Sequence, residues 1–242
     1  MRQEVLFPEW DIQTRSYPKA VNVASVPQRS PFRYPGGKTW FVPTFRKWIA
    51  QMAVKPKFLV EPFGGGGIIS LTALFENLVE KVVLVEKDEE VAAVWQTVVD
   101  GHANWLAQRI LEFELTKDNV IREIDKSSKD PKQIAFQTIL KNRTLHGGIL
   151  AEGASFVKYG ENGKGILSRW YPQTLAKRFH NLNLVATRIE FICGDGIDVL
   201  NRYSKKTDTV YFVDPPYTAG GKRAGRRLYK YYEIDHESLF TV

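Results

Sequence analysis

The chain has 242 residues, 43% hydrophobic and 25% charged, with a formal net charge of +7 and a single cysteine, Cys193. This suffices for one substantial core plus a smaller insertion, but the longest apolar runs fall well short of the roughly 20 residues that cross a bilayer. The start, MRQEVLFPEWD, lacks the apolar stretch of a secretory signal, and one cysteine excludes a disulfide framework or a cysteine-rich zinc site. A cytoplasmic protein without metal or membrane partner is expected, and its positive charge favours a polyanion.

Residues 1–30 show no periodicity and include Pro8, Pro18 and Pro27, so they read as an arm rather than a folded element. Gly37-Lys38-Thr39 resembles the end of a phosphate-binding P-loop, but the glycine required five places before Gly37 falls on Phe32, so that match fails. Phe58-Leu59-Val60 predicts a first strand, Ile68 to Leu78 a helix, and Val82 to Val85 a second strand. Strand, glycine turn, helix and strand make a βαβ unit. Residues 87 to about 125 look mostly helical, SSKDP at Ser127 to Pro131 breaks the run, and Gln133 to Arg143 resumes it. A glycine-rich stretch follows from Gly147 to Gly165, and two more apolar runs, Ile189 to Cys193 and Val210 to Val213, complete the predicted strands. Uniform apolar runs fit strands buried on both faces of a parallel sheet. The expected fold is therefore α/β, doubly wound, interrupted by a mostly helical insertion.

Between the first strand and its helix lies Glu61-Pro62-Phe63-Gly64-Gly65-Gly66-Gly67. Glycines there let backbone approach a ligand and adopt positive φ, at the place where α/β folds bind nucleotides. A dinucleotide fingerprint starting at Gly64 would need glycine where Ile69 stands, so that reading fails. Glu86, at the end of the second strand, can accept hydrogen bonds from a ribose; it can equally be one of several acids, with Asp88, Glu89 and Glu90, that favour a helix N-terminus.

Asp214-Pro215-Pro216-Tyr217 follows the last strand directly. Two prolines stop the strand and hold a rigid turn. The turn offers a carboxylate, a fixed carbonyl and an aromatic ring, which are the parts an exocyclic amine needs to become a nucleophile. Lys222, Arg223, Arg226, Arg227 and Lys230 then make a basic run.

These residues together carry a specific resemblance. Phe32-Arg33-Tyr34-Pro35-Gly36-Gly37-Lys38, Glu61-Pro62-Phe63-Gly64-x-Gly66 and Asp214-Pro215-Pro216-Tyr217 occur in the order found in the D12 class of DNA adenine methyltransferases. The resemblance covers roughly residues 31–240. It implies a Rossmann-like methyltransferase fold, S-adenosylmethionine as cofactor, and transfer of its methyl group to adenine N6 of double-stranded DNA. It assigns the cofactor to Tyr34, Gly36, Gly37, Lys38, Glu61, Pro62, Phe63, Gly64, Gly66, Glu86 and Asp195, and catalysis to Asp214, Pro215, Pro216 and Tyr217. Asn142-Arg143 with Gly147-Gly148 resembles the start of the target-recognition segment. DNA contacts are accordingly expected from Arg143, Lys158, Lys164 and Arg169, and from the basic loop Lys222, Arg223, Arg226 and Arg227.

On this reading residues 31–100 and 190–242 form the catalytic domain and 101–189 the inserted target-recognition subdomain. The class normally continues with more strands and helices than the 25 residues after Tyr217 allow. A sheet edge at the catalytic strand covered by a second chain, or a weakly active protein, is the corresponding expectation. Cytosine N4, an RNA adenine, or an inactive nucleic-acid-binding remnant remain as alternatives at this stage.

Overall fold

The computed structural model describes residues 23–33, 37–151, 153–216, 230–231 and 235–241. Four strands, β1 (Phe58–Glu61), β2 (Lys81–Glu86), β3 (Ile189–Cys193) and β4 (Thr209–Tyr211), form one parallel sheet in the order β3-β2-β1-β4. The two central strands are apolar on both faces, as parallel strands covered on both sides must be. Leu59, Val82 and Leu84 join a large core, while Val60, Val83 and Val85 join a smaller one on the opposite face.

The large core is built by helices α1 (Val42–Ala50), α2 (Ile68–Phe75), α3 (Glu89–Thr97), α4 (Ala103–Glu112), α6 (Pro131–Thr144) and α7 (Pro172–Asn183). Between α4 and α6 lies α5 (Lys117–Ile124), whose Ile124 packs against the same core. The opposite face is covered by α8 (Gly196–Tyr203), through Val199 and Tyr203. A short helix, α9 (His236–Thr241), ends the described chain.

Local signals explain the boundaries. Asp88, Thr116, Asp130 and Asp195 each cap a helix by accepting a backbone N–H one turn in, and Pro131 and Pro172 occupy first-turn positions where no N–H is needed. Gly101, at φ 81°, breaks α3 from α4.

Three features differ from the sequence expectation. Part of the N-terminal stretch expected to be an arm is packed: Val26 is buried, and Arg29 bonds Glu76 at 3.1 Å and lies over the Phe75 ring. The helix after β1 stops at Phe75, and Asn77 turns the chain at φ 52°. Strand β4 ends at Tyr211, two residues early. Phe212 N–H still donates to the Val60 carbonyl at 2.9 Å, but Pro215 and Pro216 have no donor to extend a ladder.

Helices α4, α6 and α7, from the span expected to be an insertion, share the large core with the sheet; Leu106, Phe136, Ile139 and Phe179 are fully buried in it. From β1 the chain steps outward to β2 and β3, then crosses back through α8 to β4 on the other flank of β1. That reversal lies between β1 and β4, and a crevice at the carboxyl ends of strands opens at such a switch point.

Candidate functional site

A cleft of about 780 Å³ occupies this position, within the usual size range of ligand pockets. The glycine loop after β1, Glu86 after β2, Asp195 after β3 and the Asp214-Pro215-Pro216 turn after β4 all line it. Gly37 and Lys38 close one side, and Arg33, Arg143, Tyr171 and Arg178 another.

The glycine loop is held by backbone. Gly64 N–H donates to the Val85 carbonyl at 2.7 Å, and Gly67 N–H to the Gly64 carbonyl at 2.7 Å. Gly65 and Gly67 adopt φ of 46° and 61°, which explains why the turn needs more than one glycine. A Cβ on Gly64 would lie 2.6 Å from Leu84 Cδ1 and 2.9 Å from the Val85 carbonyl oxygen. Trp95 supports the loop from below, its indole N–H donating to the Gly65 carbonyl at 2.9 Å.

Glu61 is buried, and one of its carboxyl oxygens accepts from both Ser70 N–H at 3.0 Å and Ser70 Oγ at 2.5 Å. The side chain ties the end of β1 to the first turn of α2. Burial pushes its carboxyl up to about 8, against the pull of the Ser70 hydrogen bonds.

Glu86 accepts backbone N–H bonds from Gly65 at 2.8 Å, Lys87 at 2.8 Å and Asp88 at 2.9 Å. Burial raises its carboxyl to about 7. A carboxylate has about four acceptor positions, so three amides leave capacity for a ligand hydroxyl. Asp195 caps α8 through Ile197 N–H at 3.0 Å and pairs with Lys87 at 2.8 Å. Burial works against its ionised form, but the Lys87 and Ile197 hydrogen bonds outweigh it and hold the carboxyl below the ordinary range.

Two long-range contacts set the mouth. Lys38 Nζ pairs with Asp214 Oδ2 at 2.5 Å, joining the N-terminal glycine segment to the proline turn. Gly196 packs against the Pro62 carbonyl so closely that a Cβ there would lie 2.2 Å from the oxygen, locking the start of α8 under the glycine loop.

The other expected site residues are distributed differently. Arg143 is only 5% exposed and donates to the Pro31 carbonyl. It is therefore not an outward surface charge, because α6 carries it into the wall formed with residues 31–33. Beside it, the Asn142 side chain accepts from Arg33 N–H and donates to the Arg33 and Gly148 carbonyls, each at 2.9 Å. Lys158 and Lys164 are exposed and do not line the cleft. Arg169, also outside the lining, pairs with Glu161. Tyr34, Gly36, Tyr217, Lys222, Arg223, Arg226 and Arg227 lie outside the described residues.

Ser30, Arg178, Lys87, Gly196 and Tyr231 also line the cleft, although no motif in the sequence includes them. Only Gly196 carried a signal, as a glycine directly after an Asp that caps a helix. Arg178 sits beside the buried Phe179 on α7, and nothing in its neighbourhood along the chain marks it.

The family model of the D12 class N6 adenine-specific DNA methyltransferases matches residues 34–241. A search of curated proteins gives no match. The chain belongs to the D12 class of N6 adenine-specific DNA methyltransferases. Its reaction is methylation of adenine N6 in DNA, and the cytosine-N4 and RNA alternatives gain nothing from the match. Among the described residues no helix is long and apolar enough to cross a membrane.

Proposed function

We propose that the cleft binds S-adenosylmethionine together with an adenine extruded from double-stranded DNA. The observation that carries this reading is the meeting of the glycine loop and the Asp214-Pro215-Pro216 turn in one cleft at the switch point. The residues present suit such a cofactor: a glycine turn that admits close backbone approach, a Glu86 carboxylate with acceptor capacity to spare, and Asp195 at the start of α8. Bound there, the cofactor supplies a methyl group made electrophilic by its sulfonium centre.

The chain's own contribution is to prepare the amine. The lone pair of adenine N6 is delocalised into the ring, so the nitrogen is a poor nucleophile. Asp214 accepts a hydrogen bond from one N6–H and the Pro215 carbonyl from the other. Both bonds strengthen as the nitrogen becomes tetrahedral and positive. The surplus N6 proton then leaves by way of Asp214 towards solvent. For this Asp214 must exchange Lys38 for the amine, or hold both. Tyr217 is assigned stacking on the extruded base, which offsets part of the few kcal/mol that unstacking costs.

We further propose that the outer edge of β4, which pairs with β1 alone among the described residues, is covered by a second chain in the active protein. Sedimentation of the protein, alone and with DNA, tests this; a fully active monomer would remove the idea.

The test of the main reading is transfer of labelled methyl from S-adenosylmethionine to unmethylated duplex DNA, followed by digestion to nucleosides. Label in N6-methyladenosine supports it. Cofactor binding without transfer confines the reading to binding, and no cofactor binding overturns it.

A further inference from the structure

The wall formed by Arg33, Arg143 and Arg178 concentrates positive charge; Arg33 feels Glu161, but the two inner arginines have no acidic counter-charge among the described residues. Arg143 is nineteen-twentieths buried at 5% exposure, one terminal nitrogen donates to the Pro31 carbonyl, and its Nε is buried with no partner. Arg178, on the neighbouring α7, donates Nη1 to the Ser30 carbonyl at 3.0 Å. Arg33 lines the same wall. Among the described residues no carboxylate pairs with Arg143 or Arg178, and the charges felt by Arg143 are those of Arg178 and Arg33, both repulsive.

Elsewhere among the described residues, buried Glu123 meets Lys126 and Arg109, and the partly buried Arg29 meets Glu76. An unpaired buried charge is expensive, and two carbonyl oxygens carry only partial charge in return. The wall is thus built for an anion. It runs from buried Arg143 out to the half-exposed Tyr171, so the anion enters from solvent and stays attached to something larger. Planar guanidinium forks match the paired oxygens of a phosphodiester.

We propose that Arg143, Arg178 and Arg33 form a binding site for a backbone phosphate of the DNA substrate, holding the strand while its adenine sits at the Asp214 turn. This rests on the cleft being the place where the target nucleotide enters. Phosphate contacts position a strand without reading its sequence. The site therefore contributes affinity for any duplex, and it sets the distance from backbone to reacting base.

The experiment is fluorescence anisotropy of a labelled unmethylated duplex with the full chain, over a range of salt, for wild type, Arg178→Met and Arg33→Met. Each variant should weaken binding about tenfold, equally for unrelated duplexes, and flatten the dependence of log Kd on log salt by about one unit. Calorimetry with S-adenosylmethionine should give an unchanged Kd. A salt slope equal to wild type in both variants overturns the proposal, as does a fall in melting temperature with DNA affinity retained, since the arginines then only brace Ser30 and Pro31. Weaker cofactor binding with DNA affinity intact also overturns it, giving the wall to the cofactor's carboxylate instead. Failure of the cleft reading itself is seen separately, as absence of cofactor binding by the wild type.

Discussion

Lys38 Nζ and Asp214 Oδ2 lie 2.5 Å apart, and their side chains are 11% and 26% exposed. The pair connects two segments from opposite ends of the described chain directly across the mouth of the cleft. Asp214→Ala should lower turnover by a few hundredfold or more, the usual effect of removing one transition-state hydrogen-bond acceptor or donor, while leaving cofactor affinity nearly unchanged. Single-turnover kinetics and calorimetry separate the two quantities. Retention of more than about a tenth of wild-type turnover contradicts the assigned role. Lys38→Met should slow turnover less, since it removes the partner of the carboxylate and leaves the carboxylate itself.

Glu61 makes stability depend on pH with a definite sign. Its carboxyl is raised from 4.5 to about 8 by burial, so the folded chain holds this proton more tightly than the unfolded one. The stability it contributes is complete below about pH 4.5 and is lost as pH rises through about 8. Glu61→Gln keeps an oxygen that can accept from Ser70 and has no proton to lose. Melting curves from pH 5 to 9 should therefore fall less steeply for Glu61→Gln, with the variant the more stable above pH 8. Parallel curves for the two proteins would show that Glu61 is not held protonated.

Gly196→Ala should disturb the site although residue 196 carries no functional group. Its Cβ would meet backbone, the Pro62 oxygen at 2.2 Å, which cannot swing aside as a side chain can. A cost of about 1–3 kcal/mol is expected from such overpacking, lowering the melting temperature by about 2–4 °C per kcal/mol in a chain of this size. Cofactor affinity should fall with it, because the glycine loop is what must move. A variant that melts earlier but binds cofactor normally would place the strain in α8 alone.

Arg188 provides a test of the scaffold away from the cleft. It donates to the carbonyls of Glu80 at 2.8 Å, Leu74 at 3.2 Å and Val79 at 2.7 Å, and to Asn77 Oδ1 at 3.0 Å. These bonds gather the turn between α2 and β2. A lysine cannot reproduce a planar fork with five donors, so Arg188→Lys should lose about 1–3 kcal/mol in denaturant unfolding and leave DNA affinity unchanged. A stability equal to wild type would mean that water replaces the fork without loss.

The sequence shows its strands and its chemistry unevenly. Val82 to Val85 is legible because a central parallel strand is apolar along a short continuous stretch, Ile189 to Cys193 because only Glu190 interrupts its apolar run, and Asp214-Pro215-Pro216 because proline fixes its own backbone. The end of β4 is not legible, since apolar Phe212 and Val213 continue the pattern two residues past the point where the ladder stops. Arg143 shows the deeper difficulty. A basic residue near a helix end looks like a surface charge, and its burial depends on Pro31, more than a hundred positions earlier. Arg178 is hidden for the same reason, through Ser30. Contacts of that range leave no periodic trace.

The cleft draws its walls from residues near positions 30, 61, 86, 143, 178, 195 and 214, so no contiguous half of the chain contains the whole of it. Any molecule that occupies it therefore bridges almost the entire folding pattern at once. Such a ligand cannot stabilise one lobe and leave another loose; its binding free energy is added to the global unfolding transition, about 2.7 kcal/mol at a hundredfold excess over Kd. Proteases should feel this first. In the presence of a saturating ligand, cleavage that proceeds through global opening slows by the same factor at every buried site, from α2 to α7.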